Sequence, residues 1–282
     1  METNQATFDP PKVQCDLCAS REITRYHQDF RGIDIFKCRH CGVQFMNPQY
    51  SDAHLKGYYA HYVNESPDEE EPELYCNNFY LSLVERYADQ PGRFLDIGTG
   101  AGFMLKAAKA RGWEPTGYDV DPATVERISH QIHIPVFSGD FEKIDWPRES
   151  FDLVAMHHVL EHLKSPEAYV RRVHAMLKPG GLFLIAVPNI ESVSSRLKFM
   201  MEKLGLRRAR RGAYYDTPHH LWYFSPRPLE AFLARMGFKV LLERSGHQAR
   251  AKQASWKRFV MRNVTERPVW KSTFLVLAQK QK

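Results

Sequence analysis

The sequence predicts an α/β fold built on a parallel sheet, preceded by a small metal-binding module. Three observations carry that reading. Continuous apolar runs such as RFLDI, FDLVAMH and LFLIAVP alternate with amphipathic segments of helical period over residues 91–282. Runs of this kind are buried on both faces of a sheet, as in a parallel sheet covered by helices. The first run ends in a glycine cluster, GTGAG, and far upstream four of the five cysteines form two CxxC pairs.

The elements follow in order. Residues 13–48 read as a compact knuckle-pair module. Residues 49–90 form a Tyr-rich connector that holds the acidic stretch ESPDEEEPE. RFLDIG (93–98) is a buried strand, GFMLKAAKARG (102–112) a helix closed by Gly112, and EPTGYDV (114–120) the next strand. PATVERISHQ (122–131) is a helix with Pro122 in its first turn, and FDLVAMH (151–157) is a third clear strand. Ser165 and Pro166 open a helix whose Tyr169, Val170, Val173, Met176 and Leu177 share one face; KPGG stops it and LFLIAVP (182–188) follows as a strand. Val193, Leu197, Met200, Met201 and Leu204 recur at helical spacing and read as a packing stripe, with an acceptor-shaping lid as the alternative. Trp256, Phe259 and Val260 suggest another amphipathic helix, which reads as packing, with peripheral contact at a membrane surface as the alternative.

Composition narrows the class. Hydrophobic residues make up 43% of 282, ample for a sizeable core. No run of about 18 apolar residues is present, so no transmembrane segment is expected. The opening METNQATFDPPK has no apolar signal core, so a cytoplasmic location is expected. The net charge is +6, with a basic run over residues 196–211 that reads as solvated surface or as a match for an anionic, phosphate-bearing acceptor. No aromatic-rich basic recognition motif is present, which places nucleic acid second among partners.

The cysteines call for a metal. Cys15-Asp-Leu-Cys18 and Cys38-Arg-His-Cys41 are separated by 19 residues. Two short CxxC turns can present four thiolates tetrahedrally, and four protein ligands leave no open position, so the expected ion is a structural Zn²⁺. Cys76 reads as an ordinary thiol.

The glycine loop calls for a cofactor. Gly98, Gly100 and Gly102, with Thr99 between, let backbone approach a ligand, and the helix opened by Phe103 offers its N-terminus to a carboxylate. Phe103 occupies the place of the third glycine of the dinucleotide fingerprint, so the spacing is GxGxG. Asp96 can take an ammonium. Asp119, followed by Val120, ends the second strand and can accept both ribose hydroxyls; its alternative reading is a helix cap or turn acid. Asp140 can hold an adenine amino group and Phe141 can pack on the ring, while His157 lines the sulfonium or adenosine side. This set suits S-adenosylmethionine.

The chain resembles class I methyltransferases through LDIGTGAG, YDVDP, GDFE, FDLVAMHHVLEHL and LKPGGLFLIAVPN, which appear in order over residues 92–245. The resemblance implies a Rossmann-like seven-stranded sheet whose last strand is antiparallel and inserted between the fifth and sixth. GFKVLLERS (237–245) and STFLVLAQK (272–280) would supply that closing pair. The segment IFKCRHCGVQFMNPQ with YSDAHLKGYYAHY also resembles the N-terminal part of bacterial zinc-ribbon methyltransferases of sugar and surface-glycan biosynthesis. That implies a small or glycan-like acceptor.

The remaining candidates are catalytic. His158, Glu161 and His162 stand at i, i+3 and i+4, the spacing of one helix face. His219 and His220 lie in DTPHHLWYFSP, a segment that related methyltransferases use to cap the active site. One histidine could act as general base toward a hydroxyl. Alternatively, these groups could hold a divalent metal that acidifies it. The metal reading rests on a resemblance to the EVxEH pattern of small-RNA 2′-O-methyltransferases and ubiquinone-pathway O-methyltransferases, in which His158 stands where the first glutamate does. The resulting reading is an O-methyltransferase for a small or glycan-like acceptor. An RNA methyltransferase and a non-catalytic adenosylmethionine- or zinc-dependent interaction protein are the alternatives.

Overall fold

The computed structural model describes residues 6–29, 31–59, 70–206, 214–215, 220–246 and 272–281. His219, most of the Arg-rich end of the basic run and Trp256, Phe259 and Val260 lie outside them.

The apolar runs form the expected strands. The main sheet contains β4 (Arg93–Ile97), β5 (Glu114–Tyr118), β6 (Val136–Phe137), β7 (Phe151–His157), β8 (Leu177–Pro188), β10 (Phe238–Ser245) and β11 (Thr273–Lys280). Its order is β10-β11-β8-β7-β4-β5-β6. The strands from β6 to β8 pair in parallel, whereas β11 runs antiparallel between β8 and β10. This is the Rossmann-like arrangement with the inverted last strand.

The two-residue pleat splits the core into two layers. Leu95, Ile97, Val154, Met156, Phe183 and Ile185 face one side, under α5 (Pro166–Met176) and α7 (Pro226–Arg235). Phe94, Leu153, Ala155, Leu182 and Leu184 face the other, under α2 (Glu70–Val84), α3 (Phe103–Ala110) and α4 (Pro122–Ile132). Alternation of this kind, with apolar residues at both parities, is why the runs read as continuous rather than period two. The chain winds outward from β4 through β5 to β6, then crosses back to β7. The order therefore reverses between β4 and β7, which opens a crevice at their carboxyl ends.

Three local expectations differ from what forms. The KPGG segment is taken into β8, whose pairing jumps from Phe151↔Leu177 to Leu153↔Leu182 around Gly180 at φ 80°. The HHVLEH segment is not a helix: β7 ends at His157, His158 takes φ 55°, and only Leu160–His162 close a 3₁₀ turn. His158 in the left-handed region breaks the right-handed helical repeat at the start of the segment, so only a short turn forms. The stripe of α6 (Val193–Lys203) does not pack: Val193, Leu197, Met200, Met201 and Leu204 are all exposed and no residue of α6 is buried.

The N-terminal module is a second sheet of β1 (Ile23–Gln28), β2 (Asp34–Cys38) and β3 (Gln44–Met46), each antiparallel to the next. Its fourth strand, β9 (Trp222–Tyr223), comes from the far end of the chain and pairs antiparallel with β3. Cys15, Leu17, Val43 and Phe45 share one hydrophobic cluster with the face of the main sheet.

Candidate active site

The glycine loop sits at the crevice between β4 and β7. Gly98 and Thr99 donate their N–H groups to the Tyr118 carbonyl at 2.7 and 3.0 Å, tying the loop to the end of β5. Gly98 has φ 78°, and a Cβ there would lie 2.3 Å from Val159 Cγ2, so only glycine fits. Gly100 has φ 48°, and a Cβ there would meet nothing within 4 Å. It borders open space. Gly102, also left-handed, caps α3 with no side-chain hydrogen bond, which leaves first-turn N–H groups of α3 for a ligand carboxylate. Phe103 begins that helix.

Two carboxylates flank the loop. Asp96 is 2% exposed, and its Oδ2 accepts the Thr99 hydroxyl at 3.0 Å. Burial pushes its carboxyl up to about 7, against the pull of Thr99. Asp119 accepts the N–H groups of Gly100 at 3.0 Å and Asp121 at 3.1 Å. Burial raises it as well, and these donations oppose the rise. The helix cap is Asp121, which accepts from Ala123 and Thr124, so Asp119 is not the cap of α4. Val120 beside it is exposed. Asp140 is exposed and paired with Lys143 at 2.9 Å. Phe141 is fully buried, with its ring stacked on Tyr169 at 4.6 Å, so it is seated in the core beside Tyr118 and Trp146.

The histidine-rich segment lines the same edge. His157 meets Tyr80 edge-on at 5.3 Å, and burial followed by the neighbouring His158 pushes its imidazole down to about 3, so it is neutral at ordinary pH. His158, in a left-handed conformation that a residue with a side chain rarely adopts, places Nδ1 3.1 Å from Glu161 Oε1. Glu161 is fully buried. Burial alone would raise its carboxyl, but the His158 hydrogen bond and the electrostatic pull of His158, His162 and His220 outweigh that and hold it at about 2. Its second oxygen, Oε2, is buried without a hydrogen-bond partner among the described residues. His220 Nε2 lies 3.9 Å from Glu161 Oε1, and the His162 and His220 rings meet at 4.5 Å. Ligand atoms of Glu161, His162 and His220 all lie within 4.8 Å of one another, a donor set that a divalent cation would suit. His158 is not part of that group.

The connector contributes two aromatic walls. Tyr59, at the end of α1 (Asp52–Tyr59), meets His162 edge-on at 6.3 Å, and Tyr80 of α2 faces His157. The Tyr-rich composition of this stretch carries no local signal for which ring turns inward.

The four module cysteines come together. Cys15 and Cys41 sulfurs are 3.7 Å apart and those of Cys18 and Cys38 are 3.6 Å apart. Sulfurs about 2.3 Å from a central zinc form a tetrahedron with edges of about 3.8 Å, so the spacing fits that ion and is far too long for a disulfide. Donation between Cys15 and Cys41 pushes the Cys15 thiol up and the Cys41 thiol down.

A glycine loop at the switch point of a wound sheet, with a carboxylate at the end of the next strand, lies where α/β sheets of this class take their ligands. The particular family follows from comparison. The chain belongs to the methyltransferase-domain family, whose profile matches residues 68–243. It is 31% identical over 161 residues to a ubiquinone biosynthesis O-methyltransferase of Rhodopseudomonas palustris, covering 55% of this chain and 60% of that protein. A protein of the same name from Bradyrhizobium diazoefficiens is 32% identical over 138 residues, covering 46% of this chain and 54% of that one. The chain thus spans about 60% of the first of these relatives. Among solved structures, a SAM-dependent methyltransferase from Thermotoga maritima matches with TM-score 0.56 at 19% identity, covering 80% of this chain and 99% of that one. One from Archaeoglobus fulgidus matches with TM-score 0.50 at 19% identity over 75% and 97%. These two likenesses concern the fold. No helix among the described residues is long and apolar enough to cross a membrane.

Proposed function

We propose that this chain transfers the methyl group of S-adenosylmethionine to a hydroxyl oxygen of a small acceptor, with a structural zinc ion in its N-terminal module. The observation that supports this best is the placement of the Glu161, His162 and His220 group at the sheet edge that carries the glycine loop. The names of the relatives favour oxygen as the acceptor atom. The α3 N-terminus takes the cofactor carboxylate, Asp96 takes the ammonium and Asp119 takes the ribose hydroxyls.

In the reaction the acceptor oxygen attacks the methyl carbon in line, the C–S bond breaks, and its electron pair returns to sulfur. The hydroxyl proton passes to His162, the partly exposed member of the cluster, and the Glu161 carboxylate stabilises the resulting imidazolium. The unpartnered Glu161 Oε2 favours a second version, in which Glu161, His162 and His220 hold a divalent cation. Such an ion supplies Lewis acidity toward the hydroxyl. The test is mass-spectrometric detection of methylated product on a panel of phenolic and sugar hydroxyls. If EDTA leaves turnover intact, His162 is the base; loss restored by magnesium or manganese supports the cation. A chain that binds the cofactor but methylates none of these hydroxyls overturns the reading.

Asp96 adds a pH dependence. The cofactor ammonium favours the charged carboxylate, so binding lowers the Asp96 pKa from its raised value near 7. Affinity is therefore full above that value and falls as pH drops through it. The expected loss approaches tenfold per pH unit between about pH 6.5 and 5. Calorimetric titration across this range should show the slope, and Asp96→Asn should flatten it. A pH-independent affinity in the parent chain would contradict the assignment.

A further inference from the structure

The N-terminal module is wired into the candidate site through a short run of contacts. β3 pairs with β9 through Gln44↔Tyr223 and Phe45↔Trp222, and Met46 donates its N–H to the Leu221 carbonyl at 2.9 Å. The Phe45 and Trp222 rings meet at 5.3 Å, and the Tyr215 hydroxyl donates to Gln44 Oε1. From β9 the contacts continue to the 3₁₀ turn: Leu221 N–H donates to the Glu161 carbonyl at 2.9 Å and Trp222 Nε1–H donates to the Leu163 carbonyl at 2.7 Å. His220 immediately precedes Leu221 and lies against Glu161 and His162. The glycine loop is held differently. Among the described residues, its backbone hydrogen bonds run to Tyr118 and Asp119, on β5 and just beyond it, to the first turn of α3 and within the loop itself.

We propose that the zinc ribbon braces the acceptor site, with Phe45 and Trp222 acting as positioning residues. Through β3 and β9 it fixes His220 against Glu161. Metal occupancy at Cys15, Cys18, Cys38 and Cys41 therefore sets the geometry of the Glu161, His162 and His220 group, while cofactor affinity is set elsewhere. The physical reason lies in the length of the strands. β3 has three residues and β9 has two. Strands this short do not hold a register alone, and β3 is anchored by β2, which ends on the zinc ligand Cys38. Cross-linking four thiolates around one ion fixes the ends of β2 and of the turn into β3, and so fixes the edge on which β9 lies. The proposal rests on reading Glu161, His162 and His220 as acceptor-site groups, but its test reads their geometry rather than turnover. The two ideas can therefore fail separately.

The experiment uses the full ¹⁵N-labelled chain loaded with about one equivalent of zinc. Histidine ring signals are recorded by NMR, and those of His220 and His162 are assigned from H220Q and H162Q. Removing zinc should shift or broaden both sets, and adding it back should restore them. The signals of His130 and His133, on and just after α4, should stay in place. Trp222→Phe, which keeps the zinc ligands, should move the His220 signals with zinc content unchanged. Cofactor affinity should change by no more than about threefold in either case, which also shows that the main sheet remains folded. Unmoved His220 signals in the zinc-free chain or in Trp222→Phe overturn the proposal. So does loss of cofactor binding together with zinc.

Discussion

Replacing Glu161 with glutamine is expected to lower turnover by about 10²–10⁴-fold, the range a positioned acid–base group contributes, with cofactor affinity nearly unchanged. The side chain is the hub of the cluster. It is fully buried, it is held ionised at about 2, and it approaches both His158 and His220. Glutamine has nearly the same shape, removes the charge and turns one acceptor oxygen into an NH2 donor. In the base mechanism it deprives the His162 imidazolium of its counter-charge; in the cation version it removes the one anionic ligand. Both versions predict a fall in kcat, because the interaction matters most when the proton or the ion carries the developing charge. Steady-state kinetics together with calorimetric titration of S-adenosylmethionine give the check. A variant with parental kcat would remove Glu161 from the chemistry and leave it as a buried structural acid.

The largest loss of cofactor binding is expected from Gly100→Val. The residue has φ 48°, where a β-branched side chain is strained, and its missing Cβ faces open space rather than protein. A valine would be forced out of this backbone angle or would fill the space proposed for the cofactor. Affinity should fall by at least about 100-fold, equivalent to about 2.7 kcal/mol. The fold should survive, since among the described residues no atom beyond the chain neighbours lies within 4 Å of the new Cβ. The same change at Gly98 would be a poor test, because a Cβ there collides with Val159 and the chain itself would shift. Unchanged affinity in Gly100→Val, with the thermal transition intact, would place the cofactor away from this loop.

How much of the site was legible follows from how local each signal is. The glycine loop, Asp96 and Asp119 belong to one strand–turn–helix–strand unit, so their spacing, and the crevice they flank, can be read along the chain. The four clustered cysteines are equally local, two pairs on tight turns. Phe141 was less legible: its place after Asp140 suggested a face for an adenine ring, but the stack on Tyr169 is made by a residue of α5 that no local pattern identifies. The spacing of His158, Glu161 and His162 pointed to a helix face. The segment instead forms a strand end, a left-handed residue and a 3₁₀ turn. It nevertheless brings His158 to Glu161, because a sharp turn also returns i+3 toward i.

The sequence by itself determined the strand–helix alternation, the glycine loop and the thiolate cluster. Each depends on hydrophobic period, on glycine's access to positive φ, or on ligand spacing within a few residues. Only the tertiary structure decided that β9 leaves the methyltransferase half of the chain to complete the ribbon's sheet, that Tyr59 and Tyr80 face the histidines, and that the stripe of α6 lies exposed. These are contacts between segments far apart in sequence. A two-residue strand such as β9 carries too little periodicity to name its partner, and an amphipathic pattern says that a face is apolar without saying what, if anything, covers it.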